Sequence, residues 1–277
     1  MPEGDTIFRS ARALHRALAG KLVTRFEAAY AHLASVDDDK RIAGRTVERV
    51  EARGKWVLMY FSGDLILVTH MRMNGSWHIY RSGERWRRPR RDMRVVIETA
   101  DWSAVGFAVP VAEFHSAASL LRKTMIPALG PDLLKQDFDL GGAVAGMRER
   151  ADEQVGEVLL NQKVMAGIGN VYKSETCFIC GVNPFRQVQT VDTTELEQLI
   201  FTARKLLTLN VAEDANGEIL TYAGLRRTTR TGDHTARLWV YGRRGEPCRR
   251  CGTPIEMRKQ GVGARSTFWC PVCQPIQ

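Results

Sequence analysis

Apolar positions recur at helical spacing near the start of the chain, where Ile7, Phe8, Ala11, Leu14 and Leu18 share one face. This predicts a helix over residues 6–18, with Asp5 as its cap. From Leu22 to about His115 the pattern shifts to β-segments rich in Val, Ile, Tyr and Trp. Trp56–Phe61, a Ser62-Gly63-Asp64 turn and residues 65–68 read as a hairpin, and Met93–Glu98 as a further strand. Ala128-Leu129-Gly130-Pro131-Asp132 is a turn and the expected domain boundary. Beyond it helical spacing returns. Residues 156–161 and 170–179 read as helices on either side of Met165-Ala166-Gly167-Ile168-Gly169. A longer helix starts at Thr194, where Thr194 and Glu197 match a capping box. Its Leu196, Leu199, Ile200, Ala203, Leu206 and Leu207 repeat at core spacing. There is no internal repeat, no low-complexity tract and no apolar run of membrane-spanning length.

At 277 residues the chain has room for two domains, each with its own core. Its formal charge is +9, and the distribution of that charge is uneven. Residues 221–277 hold eleven Lys/Arg and three Asp/Glu, whereas the first 220 hold twenty-nine and twenty-eight. A one-signed tail points to a phosphate-bearing partner, with a solvated surface as the alternative. A second basic run, Arg85-Trp86-Arg87-Arg88-Pro89-Arg90-Arg91, reads as a loop whose charges either reach phosphate or are simply solvated.

The basic tail contains Cys248-x2-Cys251 and Cys270-x2-Cys273, with eighteen residues between the pairs, the spacing of a four-cysteine zinc site. Four thiolates on two knuckles close a tetrahedron, so one zinc ion there is structural. Zinc held in this way contributes about −2 to the local charge. Two disulfides are the competing arrangement. The start Met1-Pro2-Glu3 has neither the basic residues nor the apolar core of a secretory signal, so a reducing, cytoplasmic setting and metal are expected. Cys177 and Cys180 form a third C-x2-C with no fourth pair. They read as small buried helix residues, with a redox role as the alternative.

Removal of Met1 would make Pro2 a terminal secondary amine. An α-amino group titrates near 7.7–8.0 and a lysine near 10.4, so roughly a tenth of the former is a free nucleophile at neutral pH. Glu3 places a proton donor next to it. The same six residues also fit an ordinary processed terminus followed by a surface charge. Gly167-Ile168-Gly169-Asn170 offers two glycines before a helix, a place where backbone N–H groups meet an anion or where helices pack closely. No nucleotide-triphosphate loop is present and the six histidines form no catalytic group, so no nucleotide cofactor is expected. His70, on a β-segment, reads as a satisfied structural histidine, with a hydrogen-bond donor at a functional site as the alternative.

Together these features resemble the formamidopyrimidine-DNA glycosylase/endonuclease VIII family of base-excision repair enzymes, across essentially the whole chain. The resemblance rests on Pro2-Glu3, Gly54-Lys55, Gly167-Ile168-Gly169-Asn170-Val171-Tyr172, the four knuckle cysteines and Ala264-Arg265-Ser266-Thr267-Phe268-Trp269-Cys270. It implies an α+β protein with three parts: an N-terminal helix and β-sandwich (1–127), a helix–two-turn–helix domain (128–240) and a zinc finger (241–277). DNA would lie in the cleft between domains, its target nucleotide flipped into a pocket. It further implies Pro2 as nucleophile, Glu3 as acid, and Lys55, Asn170 and Arg265 as phosphate clamps, with Lys55 counted in the catalytic group. Met73 would fill the void left by the flipped base, with a core methionine after a strand as the alternative.

Gly4 resembles the endonuclease VIII branch, which favours oxidised pyrimidines. Residues 102–107 lack the arginine of the opposite-strand probe found in the 8-oxoguanine branch. The segment 226–233 lies where family members cover the flipped base, or holds phosphate instead. The expectation is a monomeric, nucleoid-associated enzyme on damaged double-stranded DNA, with no membrane partner. Retention of Met1 would leave a non-catalytic zinc-finger protein that binds damaged DNA. A glycosylase acting on oxidised purines is the other alternative.

Overall fold

The computed structural model describes residues 2–123, 126–211, 226–229 and 237–276. The polypeptide divides after Pro127 into two compact units. The first begins with helix α1 (Gly4–Leu18), strand β1 (Arg25–Ala28) and helix α2 (Ala31–Lys40). Strands β2 (Val47–Arg53), β3 (Trp56–Phe61), β4 (Leu65–His70), β5 (Ser76–Arg81), β6 (Met93–Glu98), β7 (Trp102–Phe107) and β8 (Val111–His115) follow, then helix α3 (Ala117–Lys123). They form two antiparallel sheets of order β2-β3-β4-β8 and β1-β6-β7-β5. Alternate residues of both sheets, among them Val57, Met59, Leu67, Val95, Ile97 and Ala104, meet in one core with Ile7, Ala11, Leu14 and Leu18 of α1. The predicted hairpin pairs Phe61 with Leu65 across its three-residue turn.

Helix α1 starts two residues before the predicted position. Glu3, not Asp5, is the N-cap; its side chain makes no capping bond, and Asp5 is buried in the first turn near Arg9. The Pro2-Glu3 dipeptide thus leads directly into a helix seated on the sandwich. Helix α2 has no counterpart in the predicted elements, because only Leu33 of its ten residues is buried and no apolar stripe marks it. Residues 102–107, compared above with an opposite-strand probe, are the buried strand β7, bonded on both sides by β5 and β6.

The second unit contains helices α4 (Leu140–Arg148), α5 (Val155–Val158), α6 (Asn170–Cys180) and α7 (Thr193–Val211), then strands β9 (Glu256–Gln260) and β10 (Arg265–Trp269). Helix α4 escaped the pattern because three of its nine residues are glycine. Asp139 caps it by accepting from Gly142 N–H at 2.8 Å. The helix predicted over 156–161 shrinks to the single turn α5. The capping box of α7 is real but sits two residues earlier. Asp192 accepts from Glu195 N–H at 2.7 Å while Glu195 accepts from Asp192 N–H at 3.2 Å, so Thr194 and Glu197 are not the pair. Helix α6 is the axis of this unit, with every residue from Asn170 to Phe178 buried.

Candidate functional site

The two-residue turn Gly54-Lys55 joins β2 to β3, with Arg53 paired to Trp56. Gly54 adopts φ 56°, a conformation that suits glycine at the first position of a tight hairpin. The turn sets Lys55 at the end of β3 beside His70, the last residue of β4. The His70 ring meets Trp56 edge-on at 4.7 Å, and its Nδ1 accepts from Arg72 N–H at 3.0 Å. Burial, with Lys55 and Arg72 adding positive charge, lowers its pKa to about 4. His70 is therefore neutral at physiological pH, and with Nδ1 accepting, its Nε2–H is the donor. The sequence leaves it as a structural histidine or a hydrogen-bond donor, and the geometry gives it an N–H to donate.

After β4 the chain reverses tightly. Arg72 takes φ 45°, and Gly75 N–H bonds to Met71 carbonyl at 2.9 Å. A Cβ on Gly75 would lie 2.6 Å from that carbonyl, so the turn requires glycine. Met71 is thereby buried at 1% exposure and Met73 is turned out at 58%. Met73 is not a core methionine. Glu3, in contrast, is wholly buried at the head of α1. Pro2, Glu3, Lys55 and Met73 all belong to the first unit, and Asn170 and Arg265 to the second.

In the second unit Gly169 is the N-cap of α6 and Asn170 its first residue. Gly167 has φ 115°, and Gln162 clasps the turn by accepting from Gly167 N–H and donating to Ile168 carbonyl, each at 3.0 Å. The Asn170 amide is buried at 7% exposure, and among the described residues its Oδ1 has no hydrogen-bond partner. A buried amide with unused capacity at a helix N-terminus suits an incoming polar ligand. Arg265 opens β10 just after the hairpin turn, where Gly261 and Ala264 both have positive φ. It is exposed, and its guanidinium makes no bond among the described residues.

The polar run Lys173-Ser174-Glu175 inside α6 carries the finger. Lys173, fully buried, donates to Thr267 hydroxyl and, at 3.4 Å, to Ser266 carbonyl. Ser174 accepts from Phe268 N–H at 3.3 Å. Glu175 accepts from Trp239, Val240 and Tyr241 N–H, each at 2.8 Å, and from Thr228 hydroxyl. Asn170 and the Arg265 hairpin thus hang from one helix. No sequence motif marks these organising residues; the available signal is a polar triplet, two of its members charged, within a segment too apolar to be a surface helix.

The Sγ atoms of Cys248, Cys251, Cys270 and Cys273 all lie within 4.8 Å of one another, and none is in a disulfide. Separations of 3.4, 3.5 and 3.9 Å approach the roughly 3.8 Å edge of a tetrahedron with 2.3 Å zinc–sulfur bonds. Backbone N–H groups of Arg250 and Cys273 point at Cys248 and Cys270 sulfurs, the knuckle geometry that supports thiolate ligands. The donor set fits one structural zinc. Cys177 is buried and Cys180 partly so, and burial raises both thiols. That agrees with a packing role, since thiols held protonated are poor nucleophiles.

Family comparison matches residues 1–110 to the formamidopyrimidine-DNA glycosylase N-terminal domain and 129–221 to its H2TH domain. Residues 245–276 match the zinc finger found in FPG and IleRS. The chain belongs to the formamidopyrimidine-DNA glycosylase family. Within it, the chain is 42% identical to a Streptomyces coelicolor protein named "Probable endonuclease 8 2", covering 99% of this chain and 94% of that one. It is 38% identical to the Mycolicibacterium smegmatis "DNA-(apurinic or apyrimidinic site) lyase Nei2", covering 99% of each. A solved structure of the Lactococcus lactis enzyme with DNA containing an abasic site matches with TM-score 0.80. It covers 99% of this chain and 100% of that one, and its 23% identity speaks for the shared glycosylase fold. Among the described residues no helix is long and apolar enough to cross a membrane. Residues 230–233 of the segment 226–233 and Met1 lie outside the described residues.

Proposed function

We propose that this chain is a bifunctional DNA glycosylase/AP lyase of base-excision repair that removes oxidised pyrimidines from duplex DNA. The observation that carries this reading is the full-length similarity to a DNA-(apurinic or apyrimidinic site) lyase, 38% identical over 276 residues. With Met1 removed, the Pro2 nitrogen attacks C1′ of the flipped nucleotide. The glycosidic bond breaks, and the base leaves with the bonding pair and a proton. Glu3 protonates the ring oxygen as the sugar opens, giving an iminium at Pro2. Loss of a C2′ proton then expels one phosphate, a second elimination expels the other, and hydrolysis of the imine frees the amine.

Lys55 holds a phosphate beside the reacting sugar, and the neutral His70 adds an N–H donor next to it. Asn170 and Arg265 hold further phosphates from the second unit. Met73, exposed on a rigid turn, occupies the gap left by the flipped base. Four thiolates would hold one zinc ion, which stiffens the Arg265 hairpin and takes no part in bond breaking. The enzyme acts as a monomer in the cytoplasm. Gly4, as in the endonuclease VIII branch, supports the pyrimidine preference.

Borohydride trapping on duplexes carrying thymine glycol or an abasic site tests the mechanism. A covalent adduct mapped to Pro2 is expected, absent in Pro2→Gly. Glu3→Gln should lose base release while still trapping the abasic site. No adduct from protein shown to lack Met1 would leave a non-catalytic damage binder. Faster nicking of 8-oxoguanine paired with cytosine than of thymine glycol would reverse the substrate assignment.

A further inference from the structure

The near balance of charge over the first 220 residues conceals two opposite halves. Residues 128–220 carry eight basic and fourteen acidic side chains. Between 81 and 94 there are seven arginines and two acids, whereas the rest of the first 127 residues holds fourteen basic and twelve acidic residues. The positive charge of the first 127 residues is therefore concentrated in the β5–β6 loop and the strand ends that flank it.

This loop is built, not merely solvated. Trp86 packs edge-on against Phe107 at 5.7 Å, on a small cluster with Tyr80, Met93, Val96 and Val105. Arg87 N–H donates to Tyr80 hydroxyl at 3.2 Å. Arg88 reaches back to Ser76 hydroxyl at 3.1 Å and pairs with Asp92 at 3.3 Å. Arg90 pairs with Glu27 at 2.6 Å, and Arg94 bonds the carbonyls of Arg91 and Met93. Three arginines thus clamp the loop. Arg85, Arg87 and Arg91 are exposed, and their side chains make no hydrogen bond or ion pair among the described residues. Holding like charges together in a fixed loop costs free energy that an anionic partner would recover.

Placement indicates which anion. The Arg88–Ser76 bond brings the loop against the first residue of β5, three positions after the exposed Met73. We infer that Arg85, Arg87 and Arg91 form a second backbone-contact surface that grips phosphates of the duplex flanking the lesion, on the side of the first unit that carries Met73. The contact is sequence-independent and serves undamaged and damaged duplex alike. This inference rests on the proposed DNA-repair reading.

The test is equilibrium binding of wild type and an Arg85→Ala/Arg87→Ala/Arg91→Ala variant to undamaged and abasic-analogue duplexes between 50 and 200 mM salt. Three phosphate contacts at about 0.9 each would lower the salt slope by about 2.7, so the advantage of wild type should shrink about 40-fold across that range. The corresponding triple lysine variant should keep most of the slope. Trp86→Ala should lose affinity while retaining every charge, because the loop is no longer held. An unchanged slope in the alanine variant, with normal trapping at an abasic site, would overturn this inference and leave the repair function standing. Wild-type protein that bound neither duplex would overturn both.

Discussion

Replacing Glu175 by alanine removes the acceptor of three backbone N–H groups at once. Oε2 takes Trp239 N–H, and Oε1 takes those of Val240 and Tyr241, all at 2.8 Å, with the side chain fully buried. Hydrogen bonds to a charged acceptor contribute about 1.5–3 kcal/mol each, so the three together stabilise this segment by about 4–9 kcal/mol. Water entering the space left by alanine recovers part of that, and a loss near the lower end, about 4 kcal/mol, is expected. Glutamine keeps one acceptor oxygen and turns its NH2 toward a backbone donor. The cost then is about one charge-assisted bond, roughly 2 kcal/mol. Amide hydrogen exchange read by mass spectrometry on peptides spanning 239–241 measures this directly. At tenfold per 1.4 kcal/mol, exchange should quicken by about 10³ in Glu175→Ala and about 30-fold in Glu175→Gln. Exchange within threefold of wild type in the alanine variant would refute the claim that this carboxylate holds the segment leading into the finger.

Four further outcomes are expected. His70, with its pKa lowered to about 4, binds a proton in the unfolded chain near 6.5 but not in the folded one. Its contribution to stability is therefore complete above 6.5 and is lost as pH falls from 6.5 to 4. His70→Gln should flatten the pH dependence of denaturant unfolding in that window, and an NMR titration should place the ring's midpoint near 4. Met73→Ala, at an exposed site, should change stability by less than about 0.5 kcal/mol while slowing base excision. Met71→Ala should cost about 2–5 kcal/mol in the same unfolding assay. Purified protein should carry one zinc by elemental analysis. Its removal by a chelator should lower affinity for an abasic duplex at least tenfold, because β9 and β10 then lose the knuckles that anchor them.

Local pattern alone determined several elements. The α1 stripe, the β3–β4 hairpin, the α7 core face and the two cysteine knuckles are each set by residues within a few positions of one another. An apolar repeat or a C-x2-C spacing states such relations completely. Where burial was one-sided and regular, as in α1, the reading succeeded to within two residues. It failed for α2, with one buried residue, and for α4, where glycines stand in place of apolar side chains. It also chose the wrong capping pair on α7. Threonine at 194 satisfies the motif, but Asp192 is the residue that precedes the helix, and only the backbone path decides that.

The site divides in the same way. Pro2, Glu3, Lys55, Asn170, Arg265 and the zinc cysteines, the residues of the proposed site, stand out in the sequence as residue types in short motifs. Their settings do not. The neutral state of His70 depends on burial beside Lys55 and Arg72, and the outward aim of Met73 depends on the left-handed backbone at Arg72. Lys173 and Glu175 look like surface charges on a helix until their partners are known. Those partners, Thr267 and Val240, lie 94 and 65 positions along the chain. Periodicity records which face of an element is buried. It holds no information about which distant donor meets a buried charge, and that pairing, set by tertiary packing, turns α6 into the support of the finger.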